Sequence, residues 1–259
     1  MFNPLLPKLA DQKATTGIWV SLESPSICEV AIALNLDWVV IDMEHGHLGL
    51  HQVMAHVRAF RGSETCVLVR VPNHESSAIK RVLDMGAHGV LLPLLRARSD
   101  LDRAMRTCMY PPRGVRGVGG ERAVHWGLAW DEYLASANDE ILVVPLVETK
   151  EAVDDISRIL SVDGLRAIFF GPADLSASYG YLGAWEGPGV AQRILEVAGL
   201  ARERGIATGI IGRGPEDAQE RIHQGFRMVG LGSDVGLLID GLTDRMKALG
   251  MSTAAHLWF

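Results

Sequence analysis

Residues able to do chemistry stand directly behind short apolar runs. Asp42-Met43-Glu44-His45 follows Trp38 to Ile41, Arg70 closes Val67-Leu68-Val69, Glu148 follows Leu142 to Val147, and Gly171-Pro172-Ala173-Asp174 follows Ile168 to Phe170. If each run is a buried strand, an acid pair, an imidazole and a guanidinium meet at one end of a sheet. Glu148 and Asp174 would then lie on neighbouring strand ends, close enough to share a divalent cation. Two carboxylates with waters and substrate oxygens suit Mg²⁺ or Mn²⁺. The same residues also allow a structural reading, in which Glu148 opens a helix and Asp174 caps the turn after Pro172. His45, beside Asp42 and Glu44, could serve as a general base oriented by a carboxylate, or as a hydrogen-bonded loop residue. Arg70 ends a buried run and needs an anionic partner. Glu44 or Glu148 would make a structural pair, whereas a substrate carboxylate or enolate oxygen would use the fixed fork of guanidinium donors.

Other patterns carry less. The chain has five lysines, and only Lys150 falls near a strand end, at a helix start two residues past Glu148. Imine chemistry through a lysine is therefore disfavoured. His47, His51 and His56 follow the same segment, but the last two fall on a helix away from the strand ends and are expected to be solvated rather than metal ligands. Gly230-Leu231-Gly232-Ser233-Asp234 could offer N–H groups to an anion or simply turn the chain. Trp126, Trp130 and Tyr133 are expected to pack a loop against a helix.

Eight short, nearly continuous apolar runs must position these groups: Gly17 to Leu22, Trp38 to Met43, Val67 to Val71, Gly89 to Pro93, Ile141 to Val147, Ala167 to Gly171, Ile206 to Ile211 and Phe226 to Leu231. Amphipathic segments alternate with them, among them Leu50 to Arg61, Ser76 to Met85, Leu101 to Cys108, Lys150 to Leu160, Ala191 to Arg204 and Val235 to Leu249. Repeated strand–helix units of this kind form parallel sheets. No glycine-rich turn follows the first run, where Ser21-Leu22-Glu23-Ser24-Pro25 stands, so a dinucleotide fold is weakened and no nucleotide cofactor is expected. The α/β class is thus expected as a single (β/α)8 TIM barrel over residues 1–259, with its active site at the strand C-terminal ends. Two long loops, Tyr110 to Trp130 and Gly180 to Gly189, are candidate binding loops.

The 259 residues are 48% hydrophobic and 22% charged, enough to bury a sizeable core. A net charge of −6 offers no general attraction to nucleic acid. Three cysteines without CxxC spacing argue against disulfides and thiolate zinc sites and fit the cytoplasm. No apolar run approaches the length of a membrane span, and no targeting segment is expected. The apolar end, Ala254 to Phe259, is expected to cover a subunit interface.

Taken in order, Asp42-Met43-Glu44-His45-Gly46, Tyr110-Pro111-Pro112-Arg113-Gly114-Val115-Arg116-Gly117-Val118-Gly119, Val147-Glu148-Thr149 and Gly171-Pro172-Ala173-Asp174-Leu175-Ser176 resemble the HpcH/HpaI class II pyruvate aldolases. The similarity runs from about Gly17 to Leu249. It implies a (β/α)8 barrel whose last helix is exchanged between subunits, a homohexamer built as a trimer of dimers, and a Mg²⁺, Mn²⁺ or Co²⁺ ion at each mouth. By the same resemblance Glu148 and Asp174 are the metal ligands and Arg70 holds the keto or enolate oxygen. His45 serves the acid–base step with Asp42 and Asp84 in support. Gly171, Pro172, Ala173 and Asp174 form the substrate-carboxylate turn, with the N–H groups of Ala173 and Asp174 as donors. Trp19 is implied to line the substrate, and Arg122 to reach the aldehyde half in a neighbouring subunit. The implied reaction cleaves a 4-hydroxy-2-oxo acid into pyruvate and an aldehyde.

Two positions depart from the family pattern: Leu146, where a glutamine often precedes the metal glutamate, and Ile210-Ile211-Gly212-Arg213-Gly214, where the usual pocket-lining loop differs. Other readings of the same residues are an oxaloacetate decarboxylase, a hydroxyacyl-CoA lyase, or a non-catalytic barrel that senses keto acids.

Overall fold

A computed structural model of the chain, describing residues 2–254, closes eight parallel strands into a barrel in sequence order. The strands are β1 Thr15–Val20, β2 Trp38–Asp42, β3 Cys66–Arg70, β4 Gly89–Leu92, β5 Leu142–Val147, β6 Ala167–Phe170, β7 Ala207–Ile211 and β8 Met228–Ser233. α1 (Leu5–Ala10) precedes β1, and α2 (Pro25–Ala33), α3 (Leu50–Ala59), α4 (Ser76–Asp84) and α5 (Arg98–Cys108) follow the first four strands in turn. A 3₁₀ turn, Arg122–Gly127, and α6 (Trp130–Glu140) occupy the long connection to β5. Then come α7 (Lys150–Asp154), α8 (Ile156–Ile159), α9 (Pro172–Ser178), α10 (Val190–Glu203), α11 (Pro215–His223) and α12 (Asp234–Ala248). No helix among the described residues is long and apolar enough to cross a membrane.

Successive side chains on a strand point to opposite faces, and this period of two separates the interior into two cores. Val39, Ile41, Val67, Val69, Val143 and Val147 pack between barrel and helices. Trp38, Val40, Cys66, Leu68, Leu142, Val144 and Leu146 fill the barrel itself. Continuing the inward set by one step gives Asp42 on β2, Arg70 on β3 and Glu148 just past β5. The polar groups are therefore the top layer of an otherwise apolar barrel. The lower end is closed by α1, whose Leu5 and Leu9 join the inner core. Asn3 ties α1 down through Nδ2 to the carbonyls of His88 (3.1 Å) and Glu140 (2.9 Å).

Differences from the expected boundaries have local causes. β1 ends at Val20 because the N–H groups of Ser21 and Leu22 donate to the Asp234 carboxylate at 3.0 and 2.8 Å instead of extending the ladder. The expected helix from Lys150 to Leu160 breaks at Asp155, whose carboxylate accepts the N–H of Arg98 at the start of α5. α5 begins at Arg98, earlier than expected, with Asp100 Oδ2 accepting the N–H of Ala97. His56 is not solvated. It is fully buried, with its ring nitrogens 2.8 Å from the Gln52 carbonyl and 3.0 Å from the Leu22 carbonyl. Tyr133 packs as expected, but Trp126 is 69% exposed. Leu257, Trp258 and Phe259 of the expected terminal interface lie outside the described residues.

Candidate active site

Parallel pairing puts Asp42 directly beside Arg70 in the β2–β3 register, so the two inward-facing groups meet at the barrel mouth. Arg70 donates from Nε to Asp42 Oδ1 at 2.8 Å and from Nη2 to Oδ2 at 2.5 Å. This two-pronged contact fixes the guanidinium plane. Its third nitrogen, Nη1, lies 2.8 Å from Glu44 Oε2, and the guanidinium sits over the Trp19 ring at 4.6 Å. The structural pair expected for Arg70 thus exists, with Asp42 and Glu44 rather than Glu148. Asp42 accepts Glu44 N–H as well, at 2.9 Å, and so folds the Asp-Met-Glu-His turn around itself.

Glu148 stands where β5 ends, 2% exposed, and its Oε1 accepts the N–H of Leu94 at 2.6 Å. Leu94 takes a left-handed backbone, φ 50°, which is strained for a leucine. Burial pushes the Glu148 carboxyl up to about 7, and the negative charges of Glu44 and Asp174 push the same way, against the Leu94 hydrogen bond and Arg70. Glu44 is also raised, chiefly by burial, with Arg70 pulling it back. Its buried Oε2 lacks an aligned hydrogen bond despite the nearby guanidinium. Three carboxylates around one guanidinium already committed to Asp42 leave this mouth short of positive charge. A divalent cation fits that deficit, and Glu148 with Asp174 are oxygen donors of the required kind.

Gly171 explains how Glu148 fits: a Cβ there would lie 2.4 Å from Glu148 Oε2. The next residues begin α9, with Pro172 in its first turn and Asp174 exposed beside the carboxylate pair. Trp19 is buried on β1, and its Nε1 has no hydrogen-bond partner, which leaves a donor available at the mouth. His45 is largely exposed, 3.9 Å from Glu44 Oε2. Its carboxylate neighbour is thus Glu44, while Asp42 is occupied by Arg70.

One expected residue, Asp84, is not brought to this mouth, and Arg122, expected to reach the mouth of a neighbouring subunit, stands away from its own. α4 descends from the mouth end of β3, and Asp84 is its last residue, paired at 2.7 Å with a buried Arg116 that lies between Tyr110 and Tyr133. Arg122 donates to the Met85 carbonyl at 2.6 Å, at the same lower end of the barrel. Sequence reasoning gave Glu44 only a supporting part and did not single out Leu94. The left-handed turn that makes Leu94 a donor has no side-chain signature.

Residues 15–241 match the family model described as HpcH/HpaI aldolase/citrate lyase. The chain is 35% identical to a 4-hydroxy-2-oxovalerate aldolase of Novosphingobium aromaticivorans, covering 95% of this chain and 94% of that one. It is equally 35% identical to a 5-keto-4-deoxy-D-glucarate aldolase of Salmonella arizonae, covering 95% and 100%. An HpcH/HpaI aldolase/citrate lyase family protein from Burkholderia cenocepacia superposes with a TM-score of 0.91 at 32% identity, over 95% of this chain and 99% of that chain. The chain belongs to the HpcH/HpaI aldolase family. It is an enzyme of the lyase type, an aldolase acting on hydroxy-oxo acids.

Proposed function

We propose that this aldolase reversibly cleaves 4-hydroxy-2-oxo acids into pyruvate and an aldehyde at the mouth formed by Arg70, Glu148 and Asp174. The observation that carries this reading is the buried, acid-rich Glu148 cluster facing a guanidinium held in a fixed plane. Glu148 and Asp174 would hold a divalent ion, Mg²⁺, Mn²⁺ or Co²⁺, which would supply positive charge to polarise the 2-oxo group. Arg70, with two of its five N–H donors bonded to Asp42 and Nη1 ion-paired with Glu44, presents remaining donors to the same oxygen. The N–H groups of Ala173 and Asp174 receive the substrate carboxylate over Gly171 and Pro172, and Trp19 lines the pocket beneath.

His45 takes the C4 hydroxyl proton through a water. The O–H electron pair forms the aldehyde carbonyl, the C3–C4 pair becomes the C2–C3 double bond of the enolate, and Arg70 stabilises the charge on O2. The proton that His45 returns through the water to C3 releases pyruvate. Asp42 supports by locking Arg70 in place.

Helix α12 favours exchange between subunits and a homohexamer. Of its residues only Asp234 is buried, while Leu237, Leu238, Ile239 and Leu242 are each at least 44% exposed. Asp84 and Arg122 stand at the lower end, so either would contribute to a mouth only across a subunit boundary. The three free, buried cysteines suit a cytoplasmic protein.

The test is pyruvate release from 4-hydroxy-2-oxovalerate and 5-keto-4-deoxy-D-glucarate by EDTA-stripped protein, with and without added Mg²⁺, Mn²⁺ or Co²⁺. Metal-dependent release lost in Glu148→Ala is expected. Metal-independent release, or none from any 4-hydroxy-2-oxo acid by folded protein, overturns the reading.

A further inference from the structure

The connection after β7, one of the two segments that depart from the family pattern, carries a single charged side chain, Arg213. β7 faces the barrel interior with Ala207, Gly209 and Ile211. Ala207 and Ile211 pack into the inner core, and a Cβ on Gly209 would strike the Phe169 ring at 2.2 Å. The ladder runs one residue further, because Gly212 donates its N–H to the Gly230 carbonyl at 2.9 Å. Gly212 faces the helices, where its Cβ would lie 2.8 Å from Ala218 of α11. The period of two therefore turns the next residue, Arg213, to the barrel side. Pairing of Phe169 with Gly209 sets Ile211 beside Gly171, whose missing Cβ makes room for Glu148. Arg213 thus stands one layer above Gly171 and Glu148, on the adjoining wall of the mouth.

Its neighbours hold it in place without neutralising it. The N–H of Arg213 donates to Asp217 Oδ2 at 2.8 Å, and the guanidinium lies 5.9 Å from the centre of the Trp185 ring. Trp185 is itself fixed from two sides. Its carbonyl accepts the Ser176 hydroxyl at 3.1 Å, and Glu186 beside it holds Arg221 at 2.9 and 3.0 Å. The other oxygen of Asp217 also goes to Arg221, at 3.0 Å. Both nearby carboxylates are committed to that one buried arginine, and among the described residues the Arg213 side chain pairs with no carboxylate.

In the proposed reaction the pyruvate half of the substrate is taken by groups at the ends of β3, β5 and β6, which leaves the β7, β8 and β1 side of the mouth to the aldehyde half. Among the described residues directly after those three strands, 212–214, 234 and 21–24, Arg213 is the one cation. Asp234 there is spent on the N–H groups of Ser21 and Leu22. A guanidinium resting on a fixed aromatic plate offers a carboxylate its fork of donors. We propose that Arg213 determines substrate specificity: it binds a carboxylate at the far end of the aldehyde half, so that the enzyme selects 4-hydroxy-2-oxo diacids over substrates that yield an uncharged aldehyde. This role rests on the aldolase reading.

The test is steady-state pyruvate release, at saturating metal, from 4-hydroxy-2-oxoheptanedioate and from 4-hydroxy-2-oxoheptanoate, its match without the second carboxylate, by the native protein, Arg213→Ala and Arg213→Lys. The native protein is expected to prefer the diacid. In Arg213→Ala the diacid kcat/KM should fall about 10- to 100-fold, the worth of one charge-assisted hydrogen-bonded contact, through KM rather than kcat, while the values for the match stay within about twofold. Arg213→Lys keeps the charge and should restore part of the preference, and added salt should weaken the preference of the native protein. An equal fall for both substrates makes Arg213 structural and overturns the proposal, as does an unchanged ratio between them or a native protein with no preference. In each of those cases turnover of 4-hydroxy-2-oxoheptanoate by the native protein leaves the aldolase reading standing. No release from either substrate by folded native protein overturns that reading and the role of Arg213 together.

Discussion

In the proposed reaction Arg70 would join the two functions that a buried cation can have. Its contacts to Asp42 and Glu44 satisfy its charge, and they also hold its free donors in the mouth. Arg70→Lys keeps the charge but loses the two-pronged contact. We expect kcat for metal-supported pyruvate release to fall by about 10²–10³-fold, measured at saturating metal, with the circular dichroism spectrum unchanged. Retention of kcat within a factor of a few would assign Arg70 to structure alone. His88 gives a prediction about stability. Burial, then Arg122, lowers its imidazole from 6.5 to about 4. Between these values the unfolded chain binds the proton and the folded chain does not, so stability falls as pH drops from 6.5 toward 4 and is unaffected above. The whole effect is worth about 3 kcal/mol. Urea midpoints at pH 7, 5 and 4 should show a smaller acid loss in His88→Asn than in the native protein.

At the level of elements, two glycines let neighbouring strands come close. A Cβ on Gly171 would meet Glu148 Oε2 at 2.4 Å. Gly171→Ala is therefore expected to displace the carboxylate and remove metal-supported activity while the barrel stays folded, as read by rate and near-ultraviolet dichroism together. A fully active Gly171→Ala would show that Glu148 need not sit where it does. On β1, a Cβ on Gly17 would fall 2.2 Å from the Trp38 ring. Overpacking of this kind costs about 1–3 kcal/mol, so Gly17→Ala should lower the urea midpoint without changing the metal requirement.

For the whole molecule, α12 carries a row of leucines away from its own barrel. Exposed apolar surface of this extent is characteristic of subunit contacts. Leu238→Lys with Leu242→Lys should shift sedimentation from the proposed hexamer to smaller species, and an unchanged sedimentation coefficient would exclude α12 from the interface. The sequence was enough to reveal the eight strands and the polar groups at the mouth, because buried parallel strands are nearly continuous apolar runs and these groups stand just past their C-terminal ends. Asp42, Arg70, Glu148 and Asp174 could be read off in that way. Contacts between segments distant in the chain could not. That Asp42 rather than Glu148 takes Arg70 depends on the β2–β3 register. The burial of His56 depends on the carbonyl of Leu22 folding over α3, and the donor at Leu94 depends on a backbone angle. Asp84 and Arg122 lie at the opposite end because a helix must descend the full height of the barrel before the next strand begins. Local pattern determined which residues form the elements and which face inward; closure of the barrel decided which charges meet, since pairing depends on register and loop direction that no single segment encodes.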